Sequence, residues 1–441
     1  MPLHRNSQSA AVAVKRRLAA DVDFIALVEL REDIFFMHTT LAGKRIVVGV
    51  TGSIAAFKVA GWVSNLAKEE ARVAVMMTDS ACRFVAPLTF AALSGERVHT
   101  SLFTQEGADV ISHIQLAREA DLVVIAPATA HTIARLAHGL ADDLLSCTVL
   151  ATRAKVLVCP AMNSQMYSHP AVQENIEKLK GYGCQVLTPE SGRMACREEG
   201  PGRLPEWEQA REVMLQILAV PDLTGEKILI TAGPTREPLD PARFLSNRSS
   251  GKMGYALART AKRRGAEVIL ISGPTKLACP PGVSCVQVET AREMEEAVLE
   301  HCHQASVVIK AAAVSDFRPA MHFAEKVKKE QAELQLTLEQ TTDILKELGR
   351  RKKKAGFLLV GFAAESQNHT AEGAKKLKNK NLDLIAINDI GSAHTGFEAD
   401  TNQVTLLDKN GSSPLPLVSK EQTADLVWDH VVRMLEKKDT E

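Results

Sequence analysis

The chain has 441 residues, 45% of them hydrophobic and 24% charged, which is typical of a globular protein with two or three domains and excludes a disordered or fibrous chain. Lys+Arg and Asp+Glu both number 53, so the net charge is +0 and no global field attracts nucleic acid or an anionic membrane. No apolar run is long enough to span a bilayer, and the eight cysteines lack zinc-site spacing, which predicts reduced cytosolic thiols rather than a disulfide framework.

The first 43 residues stand apart from the rest of the sequence. Residues 1–20 are basic and rich in small side chains, and no acid precedes Asp21. Two interpretations stay open, an amphipathic targeting arm or a start assigned too early, with Met37 near the true one. We expect residues 1–43 to be an extension outside the folded domains.

From Lys44 the sequence alternates between strand and helix patterns. Short β-branched apolar runs predict buried parallel strands, and segments of helical spacing follow them. The predicted strands are 45–50, 71–78, 121–129 and 155–162, and the predicted helices are 54–69 and 132–151. This alternation predicts right-handed βαβ units and a doubly wound sheet.

The pattern restarts after a Pro/Asp/Gly break at 221–225. The predicted strands are 226–235, 266–275, 305–317, 357–365 and 382–389, and a helix is predicted over 251–265. The fold class is therefore α/β, with two doubly wound, Rossmann-like domains over 44–218 and 219–441.

Polar residues gather where the strands of the first domain end. Gly52 permits a tight turn, and Ser53 can cap the next helix and donate to an anion. The turn lacks GxGxxG, so an ordinary βα turn is the alternative. Thr78–Ser80, Pro127–Thr129 and Asn163 follow the other strands, where open α/β sheets bind ligands.

Three further segments carry possible chemistry. The loop 192–206 holds Cys196 among polar neighbours, as in a lid with a reactive thiol, although an incidental cysteine is the alternative. Gly251 and Lys252 at a helix start favour phosphate binding. Asp316, with Lys326, Lys328 and Lys329 nearby, suits a nucleoside triphosphate and Mg²⁺. The lysine runs at 350–354 and 375–380 are interpreted as solvated helix faces.

Several long segments resemble one known family. In the first half they are GVTGSIAAFK, SHIQLAREADLVVIAPATA, PAMNSQMY and the GxGR pattern at 200–203, and in the second half ITAGPTREPLDPARFLSNRSSGKMG, AAAVSDF, EKVKK, GFAAE and LDLIAIND. From about Lys44 onward, their order and spacing are similar to those of the bifunctional phosphopantothenoylcysteine decarboxylase / phosphopantothenate–cysteine ligase family of coenzyme A biosynthesis.

The resemblance implies a flavodoxin-like, FMN-dependent decarboxylase in the first domain. His113 matches the essential histidine, Asn163 the residue for the substrate carboxylate, and Cys196 the proton donor. Oxidation of the substrate's –CH₂–SH to a thioaldehyde lets CO₂ leave, and reduction with protonation then gives 4′-phosphopantetheine. The residues expected to hold FMN are Gly52, Ser53, Thr78, Ser80, Pro127, Ala128 and Thr129.

The resemblance implies a CTP-dependent ligase in the second domain. It joins 4′-phosphopantothenate to L-cysteine through an acyl-cytidylate, with Mg²⁺ and with no metal ligands assigned. Asn247 engages the acyl group, and Lys326 steadies the transferring phosphate. The residues expected to contact CTP are Lys310, Ala311, Ala312, Asp316, Lys326, Thr342, Asp343, Ile344, Leu345, Phe362, Lys376 and Lys380. Lys376 and Lys380 are thereby reassigned from a solvated face.

The sequence departs from the family at Arg197, where glycine usually follows the reactive cysteine. If that residue takes φ > 0, Arg197 is strained by roughly 1–2 kcal/mol. We expect an active decarboxylase. The alternatives are a ligase with an impaired decarboxylase half, a flavoprotein regulatory subunit, and a nicotinamide-dependent oxidoreductase.

The resemblance also implies an assembly and a location. Decarboxylase trimers and ligase dimers would together build a homo-dodecamer. The protein is expected in the cytoplasm, with its small-molecule substrates and with no nucleic-acid or membrane partner.

Overall fold

A computed structural model describes residues 40–103, 112–194, 197–326, 335–365, 369–389 and 399–440. Predictions that fall on residues 1–39, Cys196, Lys328 and Lys329 lie outside this part of the chain. The chain divides between Leu218 and Ala219 into two compact units, called below the N-terminal and the C-terminal domain. Among the described helices, none combines the length and the apolar composition that crossing a bilayer requires.

The N-terminal domain is built on a six-stranded parallel sheet. Its strands are β1 (Arg45–Val50), β2 (Arg72–Met77), β3 (Val98–His99), β4 (Leu122–Ala128), β5 (Lys155–Pro160) and β6 (Gln185–Val186). They lie in the order β3-β2-β1-β4-β5-β6, which confirms a doubly wound, Rossmann-like fold. Flavodoxin has the order 2-1-3-4-5, so "flavodoxin-like" describes the layers of this domain and not its strand order.

Helices cover both faces of this sheet. They are α1 (Ala56–Lys68), α2 (Asp79–Cys82), α3 (Pro87–Ser94), α4 (Ser112–Glu119), α5 (Ala130–His138), α6 (Leu144–Ala151), α7 (Ser164–Ser168), α8 (Pro170–Gly181) and α9 (Trp207–Leu218). A hairpin of β7 (Glu190–Arg193) and β8 (Glu199–Arg203) follows β6. Successive residues of β1 enter opposite cores, Val48 one and Val47 the other, because a strand alternates its side chains and both faces are covered.

The single helix predicted over 132–151 is wrong. Two helices form there, because Gly139 takes a left-handed φ of 67° at the end of α5. Asp143 then caps α6 by accepting from the backbone N–H of Ser146 (2.7 Å).

The C-terminal domain repeats the parallel arrangement and adds an antiparallel edge. Its strands are β9 (Lys227–Ala232), β10 (Arg236–Asp240), β11 (Arg243–Ser246), β12 (Glu267–Ser272), β13 (Ser284–Gln287), β14 (Val307–Lys310), β15 (Phe317–Pro319), β16 (Leu338–Gln340), β17 (Leu358–Glu365), β18 (Leu384–Asp389), β19 (Thr401–Asn402), β20 (Val404–Asp408), β21 (Gly411–Pro414) and β22 (Val418–Ser419). The main sheet has the order β13-β12-β9-β14-β17-β18-β20-β21. Its six parallel strands again follow 3-2-1-4-5-6, and β20 and β21 are antiparallel. The strand predicted over 305–317 is shorter than expected, since β14 ends at Lys310 and Phe317 belongs to a separate hairpin.

The helices of this domain are α10 (Lys252–Arg263), α11 (Ala291–His301), α12 (Ile344–Ala355), α13 (His369–Asn379) and α14 (Lys420–Thr440), with a short 3₁₀ helix at Cys302–Gln304. Helix α14 packs on α10 through Trp428, which is fully buried and donates from Nε1 to the carbonyl oxygen of Leu257 (3.0 Å).

The expectation of reduced thiols throughout is wrong for one pair. Cys279 and Cys285 form a disulfide across the connection between β12 and β13. Their separation of six residues gave no recognisable motif, and the turn between the strands brings them together. The free cysteines of the described chain are Cys82, Cys147, Cys159, Cys184 and Cys302.

Candidate functional sites

The candidate site of the N-terminal domain lies where the strand order reverses, between β1 and β4. Thr51 follows β1, and its Oγ1 donates to the carbonyl oxygen of Pro127 near the end of β4 (2.5 Å). The same Oγ1 accepts from the backbone N–H of Thr129 (3.1 Å). These bonds join the two strand ends at the position where open α/β sheets bind ligands.

The turn after β1 is shaped to approach a ligand closely. A Cβ on Gly52 would overlap the Cβ of Ser80, so only glycine allows this turn to meet the one after β2. Thr78 caps α2 by accepting from the N–H of Ala81 (3.2 Å). The N-cap of α1, Ala55, has no capping side chain, but the backbone N–H groups of Ala56 and Lys58 already donate to the carbonyl oxygens of Ser53 and Ala55 (both 3.0 Å). The hydroxyls of Ser53, Thr78 and Ser80 are therefore the main polar groups that these turns offer to a ligand.

A cleft of about 490 Å³ opens beside the same turn. Its lining comes from the start of α1, the end of β5 and the β7–β8 hairpin, and includes Ser53, Ile54, Phe57, Lys58, Asn163, Arg193, Met194 and Arg203. Asn163 donates from Nδ2 to Oε2 of Glu198 (2.5 Å), so a carboxylate already occupies this amide. Cys196 belongs to the segment between β7 and β8 and lies outside the described residues.

His113 lies on α4, with Nδ1 buried and without a hydrogen-bond partner. A buried polar atom of this kind is rare in a folded protein and is usually completed by a ligand or a water molecule. Nδ1 of the residue predicted as the essential histidine is therefore open to a water molecule or a ligand, although His113 is not among the described residues that line the 490 Å³ cleft.

Arg197 has a φ of 68°, the left-handed value that the family glycine would adopt easily. Its backbone N–H donates to the carbonyl oxygen of Met194 (2.9 Å), which closes the turn between β7 and β8. The conditional expectation of strain at this position is therefore confirmed, at about 1–2 kcal/mol.

The candidate site of the C-terminal domain lies at the matching position, between β9 and β14. The N–H of Ala312 donates to Oγ1 of Thr231 (3.2 Å), which joins the two strand ends. Asn247 donates from Nδ2 to the carbonyl oxygens of Ala313 and Val314 (3.2 and 3.1 Å). The predicted acyl-binding residue is therefore held at the switch point.

A pocket of about 550 Å³ opens there and is rich in lysine. The residues predicted to contact the substrates that do line it are Asn247, Lys310, Ala311, Ala312, Asp316, Leu345, Phe362, Lys376 and Lys380. The helix start at Gly251 and Lys252, where phosphate binding was also expected, lines it as well. Lys252 forms an ion pair with Asp400 (2.6 Å). We call this cavity the nucleotide pocket below.

The lysines of the nucleotide pocket repel one another. The pKa of Lys310 is lowered to about 8, mainly by burial and then by the charge of Lys380. Burial raises the pKa of Asp343, but its ion pair with Lys380 (2.9 Å) and its bond to a backbone N–H outweigh burial and lower the pKa below its ordinary value. Repulsion between cations in one pocket is relieved by a bound anion, so the site favours a highly charged one.

Four predicted CTP contacts do not line the nucleotide pocket. Ile344 is buried in the hydrophobic core, and Thr342 is exposed just before α12. Asp343 reaches the pocket only through its ion pair with Lys380. Lys326 is also exposed and outside the lining, as the last described residue before 327–334.

Sequence reasoning missed Asn402 and Lys420, which also line the nucleotide pocket. They come from the β19–β22 pair and the start of α14, far along the chain from the glycine turn. Burial and the charge of Lys252 lower the pKa of Lys420, as expected for a cation facing another cation. Neither residue belongs to a recognisable motif, so only the fold could find them.

Comparison with known proteins gives the same division of the chain. Residues 36–218 match the family described as Flavoprotein, and residues 223–435 match the DNA/pantothenate metabolism flavoprotein C-terminal domain. The coenzyme A biosynthesis bifunctional protein CoaBC of Bacillus subtilis (strain 168) is 48% identical over 386 residues, which cover 86% of this chain and 94% of that protein. CoaBC of Escherichia coli (strain K12) is 44% identical over 403 residues, 90% of this chain and 99% of that protein. A crystal structure of a CoaBC C-terminal domain has 46% identity and a TM-score of 0.42, covering 49% of this chain and 98% of its own.

Proposed function

The chain belongs to the family of coenzyme A biosynthesis bifunctional proteins, and from this premise we propose which domain carries each reaction. The C-terminal domain (219–441) ligates 4′-phosphopantothenate with L-cysteine using CTP. The N-terminal domain (44–218) then decarboxylates the product, 4′-phosphopantothenoylcysteine, to 4′-phosphopantetheine. The observation that carries the proposal is the pair of switch-point sites in one chain, one dominated by hydroxyls and one by lysines.

FMN fits the site of the N-terminal domain. The close approach at Gly52 and the hydroxyls of Ser53 and Ser80 suit a single phosphate group, and the unpartnered Nδ1 of His113 is a polar atom for a ligand to complete. Thr78 and the segment Pro127–Thr129, including the fully buried Ala128, would complete the site. When bound, FMN supplies the reversible two-electron oxidation that makes loss of CO₂ possible.

The chain's own residues would bind and protonate the substrate of the decarboxylase. Asn163 holds the substrate carboxylate, and the carboxylate of Glu198 occupies the same amide in the structure. When the substrate binds, its carboxylate takes the place of the Glu198 carboxylate as the acceptor for the side-chain amide of Asn163. This amide therefore has a hydrogen-bond partner with and without substrate. His113 positions the reacting end of the substrate, and Cys196 donates the final proton.

The lysine-rich pocket supports the ligase chemistry. The carboxylate of 4′-phosphopantothenate attacks the α-phosphate of CTP, which gives an acyl-cytidylate and pyrophosphate, and the amine of cysteine then displaces CMP. Lys310, Lys376 and Lys380 neutralise the triphosphate. Asn247 engages the acyl group from the switch point, and Lys326 would have to move toward the pocket to steady the transferring phosphate.

Magnesium enters the proposal with the nucleotide. Within the described residues, no group of three or more His, Cys, Asp or Glu side chains could hold a metal ion. We propose that Mg²⁺ arrives bound to the triphosphate, as in other phosphoryl-transfer reactions, and Asp316 is a carboxylate in the pocket that could contact it.

Assembly and location complete the proposal. By likeness to the family, decarboxylase trimers and ligase dimers build a dodecamer in the cytoplasm, where CTP and L-cysteine are available. Sedimentation at micromolar concentration tests the assembly, and a monomer would exclude it.

One incubation tests the proposed function. The purified protein is mixed with 4′-phosphopantothenate, L-cysteine, CTP and Mg²⁺, and the products are followed by mass. Bound flavin together with CMP, pyrophosphate, CO₂ and 4′-phosphopantetheine is the expected result. A reaction that stops at 4′-phosphopantothenoylcysteine with flavin bound would contradict the decarboxylase half, and absence of CMP would contradict the ligase half.

A further inference from the structure

We propose that a cleft at the far edge of the C-terminal sheet binds a phosphorylated organic molecule, separately from the nucleotide pocket. The cleft has a volume of about 620 Å³ and lies where β17 and β18 begin. The nucleotide pocket lies at the opposite ends of the parallel strands, and the two linings share no residue. We call this second cavity the basal cleft.

Cations from several elements converge on the basal cleft. In the described part of the chain, its lining contains six Lys and Arg side chains, from the end of α12, the β20–β21 turn and the last turns of α14: Lys352, Lys353, Lys409, Arg433, Lys437 and Lys438. They belong to three separate segments of the chain, so the fold brings together cations from more than one lysine run. Positive charge is therefore clustered in the basal cleft, although the net charge of the whole chain is +0.

The carboxylates of the basal cleft are already engaged. Asp383 bonds Nζ of Lys352 (2.6 Å) and the backbone N–H of Leu359 (2.7 Å). Asp408 accepts from His430 (3.1 Å) and from the N–H of Asn410 (2.7 Å). These are the two acids that line the described cleft, and one of the six cations, Lys352, is paired with Asp383. The lining still holds more cations than carboxylates, so an anion from outside the chain would relieve the excess charge.

The other lining groups indicate what kind of anion fits. Ser412 and Ser413 add neutral hydroxyl donors at the rim. Phe357 and Leu382, both more than 90% buried, and the half-buried Met434 give the cleft an apolar side. Charged donors beside an apolar surface suit a phosphate ester with an organic part, and the volume is in the range of small-molecule sites rather than of a flat surface for nucleic acid or a membrane.

Calorimetric titration tests the proposal on the full-length, flavin-loaded protein. The nucleotide pocket is first disabled by Lys376→Met and Lys380→Met, and ADP is the probe. We expect one remaining saturable site. Adding Lys353→Ala weakens it about fivefold, and adding Lys409→Ala weakens it by a similar factor, because each change removes one cation from the cleft.

Lys354→Ala is the matched control for Lys353→Ala. Lys354 is the next residue of α12, is exposed, and is not part of the cleft lining, so its removal should change ADP affinity less than twofold. Equal losses for the two variants would show a diffuse field and overturn the proposal, as would absence of saturable binding in the pocket-disabled protein. Inorganic pyrophosphate should bind at least about threefold more weakly than ADP, since it lacks a part for the apolar side. Equal affinities would assign the cleft to inorganic anions and contradict an organic ligand.

Discussion

The two domains use one topology for two kinds of site. In each, six parallel strands follow the order 3-2-1-4-5-6, and a threonine at the end of the first strand bonds the end of the fourth. The N-terminal turn then presents hydroxyls, whereas the C-terminal pocket presents lysines. The scaffold fixes where a ligand binds, and the side chains grafted on it decide the charge of that ligand.

The charge difference follows from the ligands proposed for the two sites. A flavin carries a single phosphate on a large ring system, and a helix start with hydroxyls satisfies it. A triphosphate carries several negative charges, and further negative charge develops on the pyrophosphate as it leaves. Cations beside the phosphates are needed to neutralise these charges. The pKa of Lys310 is lowered mainly by burial and further by the charges of Lys380 and Lys376, both of which a bound anion would offset.

The largest expected effect is a loss of decarboxylation without a loss of ligation. His113→Asn should lower decarboxylation at least about 100-fold, because it removes the group that positions the reacting substrate, and should leave ligation within about twofold. Mass analysis of the complete incubation should show 4′-phosphopantothenoylcysteine accumulating. His131→Asn, an exposed histidine on α5, is the control and should behave as the wild type. Equal loss of both activities in His113→Asn would contradict the assignment of one reaction to each domain.

A substitution in the nucleotide pocket should impair ligation and leave decarboxylation intact. Lys380→Met removes a pocket cation and the ion-pair partner of Asp343, so the KM for CTP should rise about 30-fold while decarboxylation of supplied 4′-phosphopantothenoylcysteine stays unchanged. Steady-state ligation assays measure the KM. Lys378→Met, an exposed residue in the last turn of α13 two positions before Lys380, should have no effect, and a similar rise in that variant would mean that total charge rather than the pocket attracts CTP.

The pKa of Lys310, about 8, predicts a pH dependence of the ligase alone. Raising the pH from 7 to 9 deprotonates this lysine and removes a positive charge that faces the triphosphate, so the KM for CTP should rise by up to about tenfold. Lys310→Gln should show a high KM already at pH 7 and a flat profile. A wild-type KM that does not change over this range would contradict the assignment of Lys310.

The smallest expected effect concerns Arg197 at its left-handed φ of 68°. Arg197→Gly should stabilise the N-terminal domain by about 1 kcal/mol, because glycine adopts this φ without strain. Urea unfolding followed by flavin fluorescence measures the change, and Arg197→Ala, which keeps a Cβ, should gain little. Decarboxylation should change less than tenfold, and a larger increase would show that the arginine damages the lid.

The sequence predicts most of the scaffold, and the reasons are visible in particular residues. Buried parallel strands such as β1 and β4 are continuous apolar runs, so their positions and the polar turns after them can be located without a structure. The two-residue strands β3 and β6 are too short to leave a periodic signal.

The sites were predicted less completely, because their distant members belong to no motif. Lys420 enters the nucleotide pocket from a helix start some 170 residues after Lys252, and no spacing rule connects the two. The position of Lys326, outside the pocket, also depends on tertiary structure rather than on local pattern. Arg197 is the opposite case, since a single departure from a family glycine correctly located a strained backbone.

The central claim is that the β1–β4 switch point binds the flavin and the β9–β14 switch point binds the nucleotide. A crystal structure of the protein with FMN and CTP tests it most directly. The account predicts the flavin phosphate at the Gly52–Ser53 turn and the CTP phosphates among Lys310, Lys376 and Lys380. Either ligand bound away from its switch point, or CTP in the basal cleft with the nucleotide pocket empty, would contradict it.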